Sequence, residues 1–96
     1  VKVQELLRQA QKAQQQLQEQ LGRLEVEGRA GGGIVSVRLS GLKELRGVRF
    51  APEALQQGDP ELLAEMVMVA WEEAAREADS KARELLSRLG LPGGLF

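Results

Sequence analysis

The sequence predicts an α+β domain with a long N-terminal helix, a three-stranded antiparallel meander and a long C-terminal helix. Three observations carry that expectation. Apolar residues recur at three- and four-residue steps from Val3 to Leu24, alternate with polar ones between Leu24 and Phe50, and return to the helical step from Leu63 to Leu89. The period changes from about 3.6 to 2 and back, which marks where the chain stops coiling and starts pairing.

In the first run, Val3, Leu6, Ala10, Ala13, Leu17 and Leu24 form a seam close to a heptad, widened by Leu7 and Leu21 and broken only at Gln20. The opposite face is mostly glutamine, which forms helix well and adds no charge. Gly22 is the expected fraying point. Little core surrounds this helix in the sequence, so it either packs on the other long helix or forms an arm that pairs with a second subunit.

Leu24 to Glu27 alternates as a short strand, and "IVSVRLSG" (34–41) alternates more clearly. Val35, Val37 and Leu39 face one way, and Ile34, Ser36, Arg38 and Ser40 the other. The intervening "GRAGG" is a hairpin signal, with Gly28 to Gly33 as the turn that lines up Leu24 and Val26 with Val35 and Val37. These glycines do not make a nucleotide cradle. Gly28 and Gly33 have the P-loop separation, but Ile34 and Val35 stand where Lys and Ser/Thr are needed to reach phosphate and metal. The dinucleotide pattern fails at Ser36, and a strand follows where a helix should open. Gly41 and the next four residues give a second turn, and "RGVRF" a third strand with Val48 and Phe50 on its apolar face. Pro52 ends it, having no amide for the ladder.

The last helix opens with Asp59 as N-cap, Pro60 in the first position, and Glu61 and Glu65 at the positive end of the dipole. Its inward stripe is Leu63, Met66/Val67, Ala70, Ala74, Ala78, Ala82, Leu85/Leu86 and Leu89, with Gly90 and Pro92 as terminators. The alanine centre lets another backbone approach closely. Roughly thirty helical residues span ~45 Å, more than a compact domain of this length needs, so part of the helix is expected to project or to cross a subunit boundary. Trp71 lies beside the stripe and suits a core or dimer interface, and Met66 and Met68 suit the core.

Composition excludes several function classes. There is no cysteine and no histidine, hence no disulfide, no thiolate metal site, and neither the commonest general base nor the commonest zinc ligand. The most tempting polar cluster, Asp79, Ser80 and Lys81, diverges on a helix, so no convergent acid–base pair points to an enzyme. No metal, cofactor or small-molecule ligand is expected. With no apolar run of ~18 residues and no visible signal peptide, no membrane partner is expected either, and the default compartment is the cytoplasm. Phe50, Trp71 and Phe96 are the only aromatics, and a core so short of large side chains is often completed by a second subunit.

The net charge is −1, but it is unevenly spread. Residues 1–24, 25–51 and 80–96 are each +2, while residues 52–79 are −7. The basic ends permit a local anion-binding surface.

The segments "LLRQAQKAQQQLQEQL", "LEVEGRAGGGIVSVRLSG", "VRFAPEAL…DPELLAEMVMVAWEEA" and "GLPG" resemble, in this order and over nearly the whole chain, the YbaB/EbfC nucleoid-associated DNA-binding protein family. The most specific parts are Gly28, Gly33, Val35, Val37 and Gly41 and the proline-bearing "FAPEAL". The family usually has a short Met- and Gly-containing lead-in, which this sequence, beginning at Val1, does not show. The resemblance implies an intertwined bacterial homodimer built on the strands, with helices projecting like tweezers. It implies binding to double-stranded DNA at the nucleoid with relaxed sequence specificity. The resemblance carries no catalytic residues and no compact DNA-contact signature. Length and the "LPGGLF" ending predict a single domain over 1–90 followed by a flexible tail over 91–96.

The candidate DNA contacts are therefore chosen on charge and spacing: Lys2, Arg8, Lys12, Arg23, Arg29, Lys81, Arg83 and Arg88. Arg8 and Lys12 lie about 40° apart on the first helix and Arg23 about 60° from Arg8, a possible ridge weakened by Glu19 and otherwise an ordinary solvated face. On the last helix Arg76 and Arg83 share one line, and Lys81 and Arg88 another, although late bases also simply suit the helix dipole. Arg29 sits at the hairpin tip, and the sequence does not choose among Arg38, Lys43, Arg46 and Arg49. The expected function is a homodimer that binds duplex DNA through phosphates. The alternative is a protein–protein interaction module using the glutamine-rich N-terminal helix.

Overall fold

The computed structural model describes residues 2–56 and 58–90. Helix α1 (Val3–Arg23) leads into strand β1 (Glu25–Ala30), a 3-10 turn (Gly31–Gly33), β2 (Val35–Ser40) and β3 (Leu45–Phe50). A short helix α2 (Pro52–Gln56) and the long α3 (Pro60–Arg88) complete the chain. The strands form one antiparallel sheet in the order β1-β2-β3. This is the α+β layout the periodicity predicts. The tail expected over 91–96 lies outside the described residues.

The core forms between one sheet face and α3. Val26 pairs with Leu39, Gly28 with Val37 and Ala30 with Val35, so the inward residues of β1 and β2 lie side by side. Ala70, Ala74, Ala75 and Ala78 of α3 are buried against them. Val35, Val37 and Leu39 are completely buried, each stabilising the fold by about 1.5–3 kcal/mol. The sequence expectation lines up Leu24 and Val26 with Val35 and Val37 on one buried face and puts Gly28 in the turn. In the structure β1 continues past Glu27 to Ala30, so the turn is Gly31 to Ile34, with φ of 62°, 73° and 97° at its three glycines.

Gly28 serves a different purpose from the turn glycines. A Cβ there would collide with the Ala70 carbonyl oxygen and lie 2.5 Å from the Ala74 nitrogen. The bare strand and the alanine stripe together let α3 rest with its backbone on β1.

α3 begins as expected. Asp59 Oδ1 accepts from the amides of Glu61 and Leu62 at 3.1 and 3.2 Å, with Pro60 in the first turn. Leu89, expected inward, is exposed because it follows the last helical residue, Arg88. α2 was not expected. Pro52 ends β3 and also opens this helix, since proline suits a first helical position. Five residues are too few to show a period.

α1 is only partly packed. Leu17 and Leu21 bury against Ala82 and Leu86 near the end of α3, with Leu24 and Leu85 alongside. Residues 3–16 are all exposed, so a rod of about 21 Å projects beyond the body. The molecule measures 65 × 18 × 17 Å. Gly22 does not fray the helix, because the terminal carbonyls have partners. The Leu24 amide donates to Gln20 and Leu21, the Gly41 amide to Leu21 at 2.9 Å, and Arg46 Nη2 to Gly22 at 3.1 Å.

Candidate nucleic-acid interface

The arm carries two chemistries on opposite sides. At about 100° per residue, its apolar stripe covers Val3, Leu6, Ala10 and Ala13, and Arg8 and Lys12 lie about 140–180° from the centre of that stripe. Arg8, Lys12 and Arg23 fall within about 60° of one another, with Glu19 and Glu5 in the same sector. Lys2 precedes the helix and is also exposed. None of these four cations has a carboxylate within 4.0 Å among the described residues, so each is free to meet a phosphate. Glutamines at 4, 9, 11, 15 and 16 surround them with amide donors. The 21 residues of α1 extend ~31 Å, close to the ~34 Å of one duplex turn.

A second group of cations gathers at the base of the arm. Arg83 lines a cleft of about 370 Å³ together with Lys43 and Asp79, and Lys43 Nζ bonds Asp79 Oδ1 at 2.8 Å. On the other flank of α3, Lys81 and Arg88 border a hollow shared with Glu25 and Glu84. Lys81 has Glu84 at 3.7 Å and Glu77 at 4.0 Å, so its charge is already compensated locally. Arg83 and Arg88 have no such partner among the described residues. Arg23, Arg83 and Arg88 thus lie around one junction, where α1 and α3 meet.

Arg29 is not brought to them. It sits near the far end of β1, roughly 20 Å along the strand direction, and its Nε donates to Glu27 at 3.3 Å. Arg38 on the outer sheet face is engaged internally. Arg38 Nη1 donates to Glu25 Oε1 at 3.1 Å and lies across Gly47, whose missing side chain makes the room. Sequence reasoning could not choose among Arg38, Lys43, Arg46 and Arg49. Here the first three are held by Glu25, Asp79 and the Gly22 carbonyl, and Arg49 alone has no such contact among the described residues.

The third feature is an uncovered apolar groove. β3 pairs Phe50 with Val35 and Val48 with Val37, so its apolar residues face the side on which α3 lies, but α3 covers only β1 and β2. Leu45 and Val48 of β3 and Met68 and Trp71 of α3 line a groove of about 380 Å³. Val48 and Trp71 are each 40% exposed. Trp71 therefore belongs to this groove and not to the single-chain core.

Fold and site together define a class: small α+β proteins with an alanine-striped helix on a three-stranded meander, and a helical arm with a basic ridge. The chain matches the YbaB/EbfC DNA-binding family over residues 2–94 and belongs to that family. Its relatives include nucleoid-associated proteins of Streptomyces avermitilis, 44% identical with 96% of this chain and 86% of that protein covered, and of Xylella fastidiosa, 41% identical with 94% and 89% covered. Among solved structures, the crystal structure of uncharacterized protein HP0035 from Helicobacter pylori is similar, with a TM-score of 0.75, 25% identity and 91% of each chain covered. Among the described residues no helix is long and apolar enough to cross a membrane.

Proposed function

We propose that the chain is a nucleoid-associated protein that binds duplex DNA as a homodimer, with low sequence specificity and mainly through phosphate contacts. The observation that carries this reading is the projecting arm, whose free cations and glutamines form a polar ridge with none of the described residues packed against it. Phosphates are the targets such a ridge fits. It is a line of point charges and flexible amides, and it lacks a locked set of side chains to read base edges. The family match and the names of the nucleoid-associated relatives support DNA as the partner and the nucleoid as the place.

A second copy of the chain is the occupant that suits the apolar groove. Symmetric pairs are the commonest soluble oligomers, and a contiguous exposed patch around a tryptophan is typical of an interface. Pairing there doubles the number of arms, which turns one weak ridge into two linked ones. The acidic middle of α3, with Glu72, Glu73 and Glu77, repels a phosphate backbone and leaves the arms and the junction cations as the docking surface.

The test is a pair of measurements on the purified chain. Sedimentation should give twice the mass of the 96-residue chain, and anisotropy titrations with two unrelated duplexes at low salt should give affinities within about threefold of each other. A folded protein that binds neither duplex refutes the DNA reading. A strong preference for one duplex refutes the phosphate reading.

A further inference from the structure

The apolar seam of the arm is not used by the reading above, and its geometry points to a second interface. We infer that the arms of two copies pair antiparallel, seam to seam, and so join DNA-binding units to one another. Val3 is 68% exposed and Leu6 53%, and among the described residues nothing covers the stripe over residues 3–16. The same seam is used further along α1, where Leu17 and Leu21 pack on Ala82 and Leu86 of the antiparallel α3. α3 ends at Arg88, so the upper half of the seam loses its neighbour there.

Side-chain size selects a second copy and sets its direction. The large residues, Val3 and Leu6, occupy the outer half of the free seam, and the small ones, Ala10 and Ala13, the inner half. An antiparallel partner with its two-fold axis at residue 8 places Leu6 opposite Ala10 and Val3 opposite Ala13, so each large side chain fills the space over a small one. A parallel partner stacks leucine on leucine and leaves a gap over the alanines.

Charge permits the pairing. The positions flanking the seam include Gln9, Gln14 and Gln16, where charged residues commonly set partner choice in paired helices. A carboxamide both donates and accepts, so a glutamine edge can face its own copy without repulsion. Arg8 and Lys12 point away from the seam, so a paired arm still presents both ridges outward to phosphate.

About three helical turns per arm give a small contact, below the ~1,200 Å² of a standard interface. Pairing is therefore weak for one arm and strengthened when several are held together. The inference rests on the arm and not on DNA binding. With the groove dimer it yields assemblies larger than dimers, since two different two-fold contacts need not close on each other.

The chain has no cysteine, so introduced thiols report the register cleanly. Leu6→Cys and Ala10→Cys chains are mixed in equal amounts and oxidised mildly. The mixed disulfide should exceed both self-disulfides together. A predominance of the Leu6→Cys self-disulfide, a statistical 1:2:1 mixture, or no crosslink overturns the pairing, the last being what a seam reserved for another protein gives. Independently, Leu6→Gln, which keeps the charge and removes no core contact, should reduce the largest mass seen in sedimentation at high concentration to that of the groove dimer and leave the melting temperature unchanged. An unchanged mass overturns the inference. A 15-base-pair duplex is titrated with both proteins below the assembly concentration, and equal affinities are expected. If neither binds, the DNA reading fails and the crosslinking result stands by itself.

Discussion

Gly28→Ala is the substitution on which sequence-level and structural reasoning disagree in sign. A glycine inside a strand costs about 0.5–1 kcal/mol relative to alanine, so propensity alone makes the change stabilising. The structure places the new methyl group against the Ala70 carbonyl oxygen and 2.5 Å from the Ala74 nitrogen. Both are backbone atoms of one helical turn, so no side chain can rotate away and α3 must lift off β1. Overpacking of this kind costs about 1–3 kcal/mol, and an immovable backbone puts the expected loss near ~3 kcal/mol. For a domain of this size that lowers the melting temperature by about 12–24 °C, at about 4–8 °C per kcal/mol. The assay is a thermal melt followed by circular dichroism at fixed protein concentration, because an oligomer's stability depends on it. Gly32→Ala is the comparison. It has φ of 73° but nothing within 4 Å of an added Cβ, so it carries only the left-handed penalty of about 1–2 kcal/mol. If Gly28→Ala melts at or above the parent, or loses less than Gly32→Ala, direct seating of α3 on β1 is wrong.

Two further substitutions test the other contacts. Leu21→Ala should cost about 2–5 kcal/mol in the same melt, because Leu21 is 1% exposed in the cluster that anchors the arm; a loss below 1 kcal/mol shows that the anchor is elsewhere. Val48→Glu puts a charge into the groove between β3 and α3 and should convert the proposed dimer to monomer in sedimentation while preserving the circular dichroism spectrum. A dimer that survives it places the interface on another surface.

Much of the fold was legible because its signals are local. The 3.6 period of α1 and α3, the alternation in β2 and the Asp59–Pro60 start each follow from neighbouring residues. What could not be read depends on distant parts of the chain. Gly28 looks like a turn glycine in "GRAGGG", and only the position of α3 shows that it is a contact surface. α2 is too short for periodicity, and Pro52 signals equally an end and a beginning. The candidate site shows the same division. The Arg8/Lys12 ridge follows from helical spacing, but the compensation of Lys81 by Glu77 and Glu84, and the tying of Lys43 to Asp79 across the cleft, required coordinates. Trp71 is informative in a similar way, since its position beside the stripe left core and interface equally open, and the groove with β3 decides between them for the single chain.

The central claim, that the arm meets DNA through phosphates, is tested most directly by the salt dependence of duplex affinity. Each phosphate neutralised on duplex DNA contributes about 0.9 to the slope of log K against log salt concentration. Replacing Arg8 and Lys12 together by alanine should therefore flatten the slope by about 1.8 for each engaged arm. The Lys81/Arg88 double alanine variant should change it less, since Lys81 is already paired. A slope in the Arg8/Lys12 variant equal to that of the parent would contradict the account and move the interface off the arm.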